Sequence, residues 1–118
     1  MTPPYMMVYT SCYMNKVFEN INSFKKWKAF AEHYKFRCVY CDLDFLSSPN
    51  AYSSADVDHF YPKSLGGKGV VPACRLCNSL KKKRVFQSIE EGRKILKKLR
   101  AEYLKKYEFE ELCKKYRA

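Results

Sequence analysis

Asp56-Val57-Asp58-His59 and, further along, Cys74-Arg75-Leu76-Cys77-Asn78 decide how this chain is read. A carboxylate sits beside one of only two histidines, and an asparagine directly follows a Cys-x-x-Cys pair. A second pair, Cys38 and Cys41, stands upstream, with 32 residues between Cys41 and Cys74. Two intervening residues let both thiolates of a pair reach one tetrahedral ion, and four thiolates close its shell. The spacing therefore predicts a structural Zn²⁺ held by Cys38, Cys41, Cys74 and Cys77. Chance cysteines or a redox pair are the alternatives, and the paired spacing weighs against both.

Outward from these stretches, 118 residues suffice for one small domain. A hydrophobic fraction of 47% favours folding over disorder. A core of this size usually needs a staple, which the cysteines offer. No apolar stretch approaches a membrane span. Met1 to Thr10 is apolar without a positive region, so no signal peptide is expected. A reducing cytoplasm then favours metal over disulfides. The net charge is +11, and the 38 residues from Lys81 onward carry 14 Lys/Arg against 6 Glu. Such a face suggests a polyanion, most often nucleic acid, against the plainer reading of a soluble basic helix.

Met1 to Asn15 has no clear period and reads as an arm, with Cys12 a small hydrophobe. Phe24, Trp27, Phe30, Ala31 and Tyr34 repeat at helical spacing behind Ser23, a cap. Their stripe is expected in the core, with Lys25, Lys26 and Lys28 opposite and His33 structural. Asp42 to Ala55 reads as loop, with a turn at Ser47-Ser48-Pro49-Asn50. Val57 to Tyr61 has strand propensity. Val70-Val71 resumes a strand expected to stop at Pro72, and a short helix is expected from Asn78 to about Arg84. Ser88-Ile89-Glu90-Glu91 is a capping box. Ile95, Leu96, Leu99, Tyr103 and Tyr107 then form an apolar stripe, repeated by Phe109, Leu112, Cys113 and Tyr116, with Cys113 expected in the core. The organisation is one domain over 1–118: an arm and helix (1–37), a motif core (38–84) and basic helices (88–116).

Phosphodiester cleavage needs a deprotonated water and neutralised phosphate charge, and a hard divalent ion supplies the second. Asp58 and Asn78 offer oxygen ligands suited to Mg²⁺ or Mn²⁺. An imidazole titrates near neutral pH, so His59 can take the proton from water. Neighbours on a regular strand point to opposite faces, so a distortion is expected if Asp58 and His59 serve one site. Alone, an Asp-His dipeptide is common and weak as a signal.

Asp56-Val57-Asp58-His59-Phe60-Tyr61-Pro62-Lys63-Ser64-Leu65-Gly66-Gly67, followed by Val71-Pro72-Ala73-Cys74-Arg75-Leu76-Cys77-Asn78-Ser79-Leu80-Lys81, resembles the HNH endonuclease motif. The Cys38/Cys41 pair matches its four-cysteine zinc subgroup. The resemblance implies an α+β fold: a small ββα-metal core stapled by the zinc and flanked by N- and C-terminal helices. It implies a DNA phosphodiester hydrolase in which Asp58 and Asn78 hold the catalytic Mg²⁺ or Mn²⁺ and His59 is the general base. Double-stranded DNA is the expected partner, contacted through Lys63, Lys68, Arg75, Lys81, Lys82, Lys83 and Arg84. A monomeric cytoplasmic protein of bacterial, phage or mobile-element origin fits this reading. Where the family has a middle asparagine bracing the loop of the base, this chain has Gly69. Backbone groups or another residue such as Asn50 then supply the brace, or activity is weakened. The rival reading is a zinc-stabilised DNA-binding module with a degenerate nuclease site; a structural zinc domain in a protein complex explains the cysteines but not Asp58, His59 and Asn78.

Overall fold

In a computed structural model of the chain, the described residues are 18–60 and 69–117. The stretch expected to form an arm, with Cys12, lies outside them, as do Lys63 and Lys68. Among the described residues the architecture is α+β, with a two-stranded antiparallel sheet, five helices and a cluster of four cysteines.

Helix α1 (Phe24–His33) starts at Ser23, whose hydroxyl accepts from the Lys26 amide at 3.2 Å. It buries Phe30 and Ala31, while Phe24, expected in the core, is 70% exposed at the first turn. His33 packs its ring against Phe18 and Tyr34, with centroids at 5.2 and 4.9 Å, the structural role expected of it. Burial pushes the Tyr34 hydroxyl up to about 12.

The next stretch is not all loop. Helix α2 (Pro49–Ser53) forms because Ser48 caps it, accepting from the Ala51 amide at 3.0 Å, and proline fits the first helical turn. Upstream, Phe36 to Phe45 folds back on itself: Phe45 N–H donates to Phe36 and Cys38 N–H to Leu43. This turn carries the first cysteine pair.

Strand β1 (Ala55–His59) pairs with β2 (Val70–Cys74) in a register that sets Asp58 opposite Val71 and His59 opposite Val70. β2 does not stop at Pro72. The Pro72 carbonyl turns away from β1 to accept from Val39 at 2.9 Å, so the missing N–H falls on the outer edge, where it costs no ladder bond. Gly69, at φ 89°, leads into β2 in a conformation that suits glycine.

Helix α3 (Arg75–Lys81) starts three residues earlier than expected and stops at Lys82, at φ 52°. Its cap is Cys74, whose sulfur accepts from the Cys77 amide at 3.4 Å, a role no propensity table assigns to cysteine. Helix α4 (Ile89–Lys106) begins at the expected capping box: Ser88 Oγ accepts from Glu91 N–H at 3.1 Å, and Glu91 reaches back to the Gln87 amide at 2.7 Å. Leu96 is fully buried with Phe30, Val39, Phe45, Phe86 and Ile89. Beyond Leu99 the stripe leaves the core. Tyr103 and Tyr107 are exposed, as are Phe109, Leu112 and Tyr116 on α5 (Phe109–Tyr116), and Cys113 is only half-buried. α4 simply outruns the small body it packs on.

Candidate functional site

The Sγ atoms of Cys38, Cys41, Cys74 and Cys77 lie within 4.8 Å of one another, with Cys41 and Cys74 at 3.7 Å. Tetrahedral Zn–S bonds of about 2.3 Å would separate sulfurs by about 3.8 Å, so the cluster has the size for such an ion. The four cysteines could hold a metal ion such as zinc. Backbone holds the sulfurs in place: Cys38 Sγ accepts from the Cys74 amide at 3.2 Å, and Val39 N–H bonds Pro72 on β2. Sharing among the thiols drives Cys41 down to about 7 and lowers Cys74, while Cys38 and Cys77 are pushed up.

Two arginines of α4 clamp this cluster. Arg93 bonds the Val39 carbonyl at 2.7 Å and pairs with Asp42, just past Cys41. Two turns on, Arg100 Nη1 lies 3.4 Å from Cys77 Sγ and 3.8 Å from Cys74 Sγ. Burial works against the Arg100 charge, but the neighbouring cysteine sulfurs outweigh it. Neither arginine was legible as a partner of the cysteines; only their helical spacing of seven, which puts both on one face, hinted at it.

On the sheet's other end, Asp58, His59 and Asn78 border one cleft of about 250 Å³ with Val57, Lys81, Lys82 and Lys83. β1 stays in register through His59 and the chain bends only at Phe60, so the expected distortion is absent from the strand; both residues border the cleft, and the His59 carbonyl faces Lys81 there. Asp58 is 5% exposed and His59 half-buried. Asp58 Oδ2 accepts from the Tyr40 hydroxyl at 2.8 Å, and Oδ1 faces Lys81 Nζ at 3.3 Å. Burial raises the Asp58 carboxyl, and Lys81 and Tyr40 only partly offset this. Burial beside that carboxylate also pushes the Tyr40 hydroxyl up strongly.

Lys81, expected among the phosphate contacts, is not on the surface. It is 1% exposed, and its ammonium also donates to the His59 carbonyl at 3.1 Å. The reason is the helix: Lys81 follows Asn78 by three residues, so it shares the inward face with it. Arg75, Lys82, Lys83 and Arg84 are exposed as expected, with Arg75 also bonding the Ser53 carbonyl. Tyr40 was missed because nothing in its position between two cysteines points to a carboxylate 18 residues away. Among the described residues, no helix is long and apolar enough to cross a membrane. Comparison with family models, curated proteins and solved structures finds no match.

Proposed function

We propose that this chain is a metal-dependent DNA endonuclease of the HNH type, hydrolysing phosphodiester bonds of duplex DNA. The observation that carries the reading is the meeting of Asp58, His59 and Asn78 at one cleft rimmed by Lys82 and Lys83. His59 accepts the proton of the attacking water. Asp58 and Asn78 supply the carboxylate and amide oxygens, a hard donor set that fits Mg²⁺ or Mn²⁺. When bound, that ion would neutralise phosphate charge and support the leaving oxygen. Arg75, Lys82, Lys83 and Arg84 hold the DNA backbone without reading sequence. Cys38, Cys41, Cys74 and Cys77 keep a structural zinc, a role that suits a closed sulfur shell.

Two observations favour the rival reading, a DNA-binding module with a degenerate site. Both Asp58 oxygens already have partners, and Gly69 offers no side-chain amide. Nicking of supercoiled plasmid across an Mg²⁺ and Mn²⁺ titration separates the two. His59→Ala should lower cleavage by about 10²–10⁴-fold while leaving DNA affinity and stability unchanged, because only the base is lost. Undiminished cleavage by His59→Ala rejects His59 as the base. Tight DNA binding by the unaltered chain, with no cleavage under any divalent ion, selects the binding module.

A further inference from the structure

We propose that Lys81 is an internal counter-cation that competes with the divalent ion for Asp58 and so sets how tightly the cleft takes that ion. This rests on the reading of Asp58 and Asn78 as its ligands.

Lys81 is no surface residue reaching in by chance. Its side chain is 1% exposed, its Nζ sits 3.3 Å from Asp58 Oδ1 and 3.1 Å from the His59 carbonyl, and the Phe86 ring lies 5.8 Å away. Two of the three ammonium donors are therefore committed. The other Asp58 oxygen is held by Tyr40, which stands between Cys38 and Cys41, inside the cysteine turn. The carboxylate is thus fixed from two sides, and its charge is already balanced by one full positive charge.

The consequence is electrostatic. Divalent-ion affinity rises with the net negative charge of the ligand set. Here one carboxylate and one ammonium sum to zero, the Asn78 amide adds none, and Lys82 and Lys83 add positive charge at the rim. A divalent ion entering the free protein meets no net attraction. A DNA phosphate brings the missing negative charge, so ion and DNA enter together, each raising the affinity of the other. Removing the Lys81 charge uncovers the carboxylate and should let the ion bind without DNA.

The test is Mn²⁺ binding to zinc-loaded protein, read by the loss of the free-ion electron paramagnetic resonance signal, with circular dichroism as the check on folding. The unaltered chain should bind Mn²⁺ weakly, and more tightly once a short duplex is added. Lys81→Met and Lys81→Gln should bind it at least tenfold more tightly without DNA, and Asp58→Asn in either background should abolish the gain. If Lys81→Met fails to fold alone, excess Mn²⁺ should restore its folding transition. Binding by both variants that is no tighter than that of the unaltered chain, or no restoration by Mn²⁺, overturns the proposal. If binding in the unaltered chain depends on Asp58 yet the variants do not differ from it, only the role of Lys81 fails. If Mn²⁺ binding is indifferent to Asp58 throughout, the reading of the ion's ligands fails with it.

Discussion

Lys81→Met also makes a sharp prediction about stability in the absence of Mg²⁺ or Mn²⁺. Asp58 and Lys81 are 5% and 1% exposed and stand 3.3 Å apart. At an effective dielectric near 20, their attraction is about 5 kcal/mol before the cost of burying both charges is subtracted. Breaking such a pair from one side typically costs about 3–5 kcal/mol, because the remaining charge is buried alone. Small domains hold only about 5–15 kcal/mol in total, so Lys81→Met should lose a large share of its stability at neutral pH. The loss should depend on pH with a definite sign. Burial already raises the Asp58 carboxyl above its ordinary 3.8 in the folded chain, and removing Lys81 raises it further. For an acid raised on folding, protonation favours the folded state. The penalty is therefore full above the raised folded value and shrinks as pH falls from there toward the ordinary value. Asp58→Asn/Lys81→Met removes both charges while the amide oxygen can still accept from Tyr40. It should be more stable at neutral pH than Lys81→Met alone. Urea unfolding of zinc-loaded protein at several pH values measures all of this. Equal stability of Lys81→Met and the unaltered chain, with no pH dependence in their difference, would refute the pair as a structural element.

Other expectations follow from the remaining geometry. Cys38→Ser or Cys74→Ser, or zinc removal by a strong chelator, should unfold the domain rather than slow a reaction, since metal binding is folding energy in such sites; circular dichroism with elemental analysis checks it. A Cβ at Gly92 would lie 2.7 Å from the Phe86 ring and 2.9 Å from the Tyr40 ring, both buried. Gly92→Ala should therefore cost about 1–3 kcal/mol in denaturant unfolding, against the gain of roughly 1 kcal/mol that alanine brings to an open helix. DNA affinity should fall on the order of 10³-fold between low and near-physiological salt, and Lys82→Ala/Lys83→Ala should reduce the log–log slope by about 2 in a salt titration.

Short-range chemistry was legible in the chain itself. The two Cys-x-x-Cys pairs foretold a four-sulfur cluster, because ligand spacing is a local constraint. Ser23 and Ser88 announced α1 and α4, because capping bonds span only three residues. The α+β class was implied by the resemblance to the HNH motif, not by these local signals. Three-dimensional packing decided the rest. Asp58 meets Tyr40 across 18 residues and Lys81 across 23, and no periodicity encodes such a meeting. Cys74 caps α3 only because the cluster holds its sulfur above the helix start. Pro72 continues β2 because its carbonyl finds Val39 on the outer edge. Apolar residues recur at helical spacing along α4 and α5, yet of that stripe only Leu96 is fully buried, with Ile95 and Leu99 half-buried and the aromatic residues beyond them exposed. Periodicity tells which face of a helix is apolar; whether anything lies against that face depends on where the other elements end.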